Sequence, residues 1–82
     1  MRTLYLYSTA GCHLCEQALE LIQPVLAQME LHVVEVDIAE HDDLLALYGV
    51  RIPVVKLAEV EHDLGWPFNA DEFADYIARY PA

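Results

Sequence analysis

Two cysteines, in the run Cys12-His13-Leu14-Cys15, are the only thiols in this chain of 82 residues. Side chains three positions apart on a helix lie on one face, so two thiols at this spacing can cycle between a dithiol and a disulfide. The same pair can instead supply half of a zinc shell, which takes four ligands in a tetrahedron. His13, His32, His41 and His62 are the imidazoles on offer, and they do not cluster along the chain. A metal or iron–sulfur carrier would then need thiolates from two chains. Near a β-α-β pattern the redox use is the expected one.

Redox chemistry asks for one thiol at the start of a helix, where exposed N–H groups and the helix dipole favour the thiolate. Thr3 to Tyr7 reads as a strand, closed by the turn residues Ser8-Thr9-Ala10-Gly11. From Cys12 to about Met29, Leu14, Ala18, Leu21, Ile22, Val25, Leu26 and Met29 recur at helical spacing. The strand therefore hands over to a helix at the cysteines. Cys12 is the expected nucleophile with a lowered pKa, and Cys15, inside the first turn, the thiol that resolves its mixed disulfide. Pro24 is expected to kink or split the helix near Gln23.

The remaining elements follow the same logic. Leu31 to Ile38, with Val33, Val34 and Val36, reads as a second strand buried on both faces. Glu40 to Tyr48 is a short helix with acidic residues in its first turn and Gly49 as a C-cap. Pro53 belongs at the start of a third strand, Val54 to Leu57, and Ala58 to Val60 turns into a fourth, about Glu61 to Leu64. Gly65-Trp66-Pro67-Phe68 is a loop, and Asn69 with Glu72 forms a capping box for a last helix ending near Tyr80. The order β-α-β-α-β-β-α describes one domain over residues 1–82, an α/β fold with a four-stranded mixed sheet flanked by helices.

Composition narrows the partners. Fourteen acidic residues against four basic ones give a formal charge of -10, which repels nucleic acid and anionic membranes. Such a surface also suits a third use of the chain, a redox-inactive interaction module whose acidic face binds a basic partner. The opening Met1-Arg2-Thr3 leads directly into a strand without a signal-peptide pattern, and no stretch reaches membrane-spanning length. The expectation is a cytoplasmic monomer acting on disulfide-containing proteins or small molecules, with no bound cofactor and no metal.

Tyr7-Ser8-Thr9-Ala10-Gly11-Cys12-His13-Leu14-Cys15 after strand one, and Ile52-Pro53-Val54 before strand three, resemble the glutaredoxin-like branch of the thioredoxin superfamily, particularly its small bacterial members. The likeness spans essentially the whole chain. It implies the thioredoxin fold, Cys12 as nucleophile, Cys15 as resolving thiol, and a cis bond before Pro53 beside them. The backbone edge at Ile52-Pro53 would pair with an extended substrate. Arg51, next to that edge, can meet a substrate carboxylate or a nearby acid, and Tyr7 can touch Cys12. Gly65 and Trp66 fall near the family's substrate groove, where Trp66 and Phe68 read first as lids on the core. Glutathione-binding members have a Gly-Gly turn where this chain has Gly65-Trp66, which counts against glutathione as the reductant. His13-Leu14 replaces the usual Pro-Tyr pair; a cationic His13 can support the thiolate or face solvent.

Overall fold

The computed structural model describes residues 2–81; Met1 and Ala82, the ends of the expected domain, lie outside the described residues. Its elements are β1 (Arg2–Ser8), α1 (His13–Met29), β2 (Leu31–Asp37), a 3₁₀ turn (Ile38–Glu40), α2 (Asp42–Tyr48), β3 (Val54–Leu57), β4 (Asp63–Gly65) and α3 (Ala70–Arg79). The strands form one four-stranded sheet in the order β2-β1-β3-β4. β1 runs parallel to β2 and antiparallel to β3, and β3 runs antiparallel to β4. This is the mixed α/β arrangement of the thioredoxin fold.

The alternation of β1 sorts its side chains between two cores. Leu4 and Leu6 join Ala18 and Ile22 of α1 and Phe73, Tyr76 and Ile77 of α3 on one face. Tyr7 joins Ile38, Tyr48 and Val54 on the other, with Tyr5 packed alongside. Helices therefore cover both faces, and the strand that delivers the chain to Cys12 is anchored on each. Among the described residues no helix is long and apolar enough to cross a membrane.

Four local expectations are corrected. Pro24 does not split α1, which runs unbroken from His13 to Met29. Pro24 and Glu20 are both exposed, while Ile22 and Leu26 on the opposite side are buried in the core, so the proline falls where a lost helical hydrogen bond costs least. β2, the sheet's edge, is covered only in part: Leu31 is buried and Val33 and Val36 pack half-buried against the two cores, but His32, Glu35 and Asp37 are exposed. The second helix starts later than Glu40, since the Asp37 carboxylate accepts the Ala39 N–H at 2.9 Å and closes a 3₁₀ turn first. Gly49 ends α2 in right-handed conformation; glycine is needed because a Cβ there would stand 2.6 Å from the Leu45 carbonyl oxygen.

β4 is the fourth correction, shifted toward Gly65, which pairs with Val54. Glu61 and His62 are instead drawn into the turn after β3. There the buried Tyr76 hydroxyl donates to the His62 carbonyl at 2.5 Å and accepts the Leu57 N–H at 3.1 Å. The expected capping box is present: Asn69 Oδ1 accepts the Glu72 N–H at 2.8 Å, and Glu72 Oε1 accepts the Asn69 N–H at 3.0 Å.

The Tyr76 bridge generates a stability test. Tyr76→Phe leaves the ring packed but strands the Leu57 N–H, so urea unfolding should show a loss of about 1–3 kcal/mol. Amide exchange at Leu57 should accelerate with it. Unchanged stability and exchange would mean the hydroxyl bridges nothing of consequence.

Candidate functional site

The turn from β1 into α1 is made by Gly11, whose φ of 79° lies in the left-handed region. A Cβ there would meet no atom within 4 Å, so backbone conformation, not crowding, asks for glycine. The next residue, Cys12, is the N-cap of α1, with extended backbone at φ -82° and ψ 100°. Its Sγ accepts the Cys15 N–H at 3.2 Å. Sulfur thus takes the place of the oxygen that usually caps a helix, and it satisfies one of the N–H groups left free in the first turn.

Cys12 and Cys15 are at disulfide distance, with Cα atoms 5.3 Å apart. Cys15 is 6% exposed and Cys12 more so. An incoming reagent therefore meets Cys12 first. His13 faces solvent: its side chain is 89% exposed, with Nδ1 3.7 Å from Glu16 Oε2.

Both sulfur-bearing residues line a cavity of about 210 Å³ between the β1–α1 loop, the first turns of α1 and the edge strand β2. Glu16 and Glu35 contribute to its wall. An adjoining hollow of about 300 Å³ shares Ser8, Thr9, Ala10 and Glu35 and adds Asp37. These acids were not singled out from sequence. Glu16 is adjacent to Cys15 in the chain and could have been found from helix geometry; Glu35 is brought in by the β1–β2 register, in which Leu6 faces Glu35 and Ser8 faces Asp37.

Tyr7, Arg51, Ile52, Pro53, Gly65 and Trp66 do not line that cavity; they form a second group at the same end of the sheet. The Ile52–Pro53 bond is cis, as is Trp66–Pro67. The Pro53 carbonyl accepts the Trp66 N–H at 3.0 Å, and the Ile52 N–H donates to the Tyr48 carbonyl at 3.0 Å. With Pro53 lacking an N–H, the edge offers a substrate strand no donor at these two residues. Trp66 meets Phe68 edge-on at 5.2 Å, as part of the core's lid.

Arg51 is held by a neighbouring acid: its guanidinium donates to both Asp63 oxygens, at 3.2 and 2.5 Å. The hydrogen bond to Asp63 raises its pKa further. The same group lies 5.6 Å from the Tyr48 ring centre, and Tyr48 stacks on Tyr7 at 4.5 Å. Any Cβ on Gly65 would come within 3.2 Å of the guanidinium, so the glycine makes room for this pair. Among the described residues no group of three or more His, Cys, Asp or Glu side chains is placed to hold a metal ion.

A family model described as a glutaredoxin-like domain (DUF836) matches residues 3–78. The chain is similar to target protein XcR50 from X. campestris, whose X-ray structure is 34% identical, with 95% of this chain and 99% of that one covered at a TM-score of 0.78. Protein Ne2328 from Nitrosomonas europaea is 28% identical, with 93% and 91% covered and a TM-score of 0.72. A mutant thioredoxin from Halobacterium salinarum shares the fold at 23% identity, with 96% and 74% covered and a TM-score of 0.73. No curated protein matches.

The tyrosine stack generates a pH prediction. Burial above all, and then the neighbouring Tyr48, raises the Tyr7 pKa above its ordinary value of 10.0. Burial also raises Tyr48, and raises Tyr76 against the opposing Leu57 hydrogen bond. Each group keeps its proton longer folded than unfolded, so its contribution is complete below pH 10 and lost as pH rises through the raised native values. Stability should fall above pH 10, and less steeply in Tyr7→Phe. Identical alkaline profiles for the two proteins would contradict this.

Proposed function

The chain belongs to the glutaredoxin-like domain family, and on that premise we propose that it is a thiol–disulfide oxidoreductase which reduces disulfides of proteins or small molecules. The observation that carries the reading is the unequal placement of two bonded-distance sulfurs, one capping a helix at the surface and one buried behind it.

In the reduced protein the Cys12 thiolate is favoured by the Cys15 N–H and by the positive end of α1. It attacks one sulfur of the substrate disulfide; the S–S bond breaks, and the far sulfur leaves as a thiolate that takes a proton from water. The near half stays on Cys12 as a mixed disulfide. Cys15 then loses its proton and attacks Cys12 Sγ, expelling the second substrate thiol and leaving the Cys12–Cys15 disulfide. Two electrons pass to the substrate. A thiol donor must return them.

Ile52 and Pro53 shape the groove in this reading. Tyr7, Arg51, Gly65 and Trp66 hold that segment through the Tyr48 stack, the Asp63 pair and the Trp66 bond to Pro53. Glutathione fits the cavity poorly, because its carboxylates would meet Glu16 and Glu35, and Arg51 is already paired. The volume of about 210 Å³ suits one side chain and falls below the roughly 300 Å³ at which small-molecule pockets usually begin. In this reading the protein works in the cytoplasm, as a monomer without a bound cofactor.

Incubation of Cys15→Ser with a disulfide substrate should accumulate a mixed disulfide on Cys12, visible as a mass increase of one substrate half. Cys12→Ser should form none, and its turnover should drop by ~100-fold or more. Equal labelling of both variants, or full turnover in Cys12→Ser, would remove the assigned roles.

A further inference from the structure

The walls around the dithiol carry one sign of charge. Glu16, from the first turn of α1, and Glu35, from the edge strand β2, both line the cavity that holds Cys12 and Cys15, and the Glu16 carboxylate also lies 3.7 Å from His13 Nδ1. Asp37 extends the run along the adjoining hollow, although its carboxylate also caps the 3₁₀ turn. Among the described residues no Lys or Arg lines either space. Arg2 and Arg51, two of the chain's four basic residues, are committed to Glu59 and Asp63.

Carboxylates beside a reacting sulfur work against the helix end, since they disfavour the thiolate that the free N–H groups favour. They also repel an anionic substrate. A cation entering with the substrate reverses both effects: it is attracted to the cavity, and it offsets the carboxylates while negative charge sits on Cys12. Resting on the oxidoreductase reading, we propose that Glu16 and Glu35 select disulfides flanked by a cationic group, an ammonium or guanidinium within one side-chain length of the sulfur. The covalent steps are unchanged; the carboxylates set which disulfide is presented to Cys12.

The test compares two small disulfides of opposite charge, cystamine and 3,3′-dithiodipropionate, each rate being divided by that of free dithiothreitol to remove their intrinsic difference. The normalised cystamine rate should exceed the other by about tenfold at low salt, and salt should narrow the gap. Replacing both acids, Glu16→Gln with Glu35→Gln, should cut the ratio by about fivefold, the scale of two exposed charge pairs. The change in Cys12 reactivity cancels, because both substrates meet the same thiolate. Glu30→Gln with Glu61→Gln removes equal charge at the far end of the sheet and should move the ratio by less than about twofold. Reduction of both disulfides with a ratio near one, or an equal fall in the control variant, overturns the charge selection and leaves the oxidoreductase reading standing. Reduction of neither overturns that reading, and the selection falls with it.

Discussion

The first turn of α1 leaves backbone N–H groups without helical partners, and the Cys12 sulfur sits where they need an acceptor. Much of the molecule is arranged to keep it there. β1 must end at Ser8, Gly11 must turn through left-handed space, and α1 must begin at His13. Two cores fix the approach, with Leu4 and Leu6 on one face of β1 and Tyr7 on the other. A slip of one residue along β1 would exchange those faces and turn the Cys12 loop away.

This constraint was legible in the sequence because it is local. The Thr-Leu-Tyr-Leu-Tyr run, the turn residues and the helical spacing after Cys12 lie within thirty residues of one another. So is the Asn69–Glu72 capping box. What escaped depends on neighbours far along the chain. Three valines suggested a doubly buried strand, but only the strand order reveals that β2 is an edge. Pro24 looked disruptive because sequence does not say that it falls on the exposed side of α1. Arg51 had two prospective partners, and the β3–β4 pairing decided between them by bringing Asp63 alongside. Glu35 reached the dithiol through parallel register, which has no signature in a single strand.

Charge and burial act on the two sulfurs in opposite senses. In the proposed reading the helix end favours negative charge on Cys12, the acidic residues lining the cavity oppose it, and burial keeps Cys15 from competing for the incoming reagent. The cis-proline segment sits apart from that balance. Its Ile52 N–H and Pro53 carbonyl are already bonded within the protein, and it lies against the Tyr7–Tyr48–Arg51–Asp63 array.

A redox titration of the metal-free protein in thiol–disulfide buffers, with alkylation of the free thiols followed by mass, tests the central claim most directly. A reversible two-electron transition between dithiol and Cys12–Cys15 disulfide is predicted, with Cys12 alkylated ahead of Cys15 in the reduced form. Thiols that stay reduced across the range, or that react with alkylating agent in the opposite order, would contradict the roles assigned to the two cysteines.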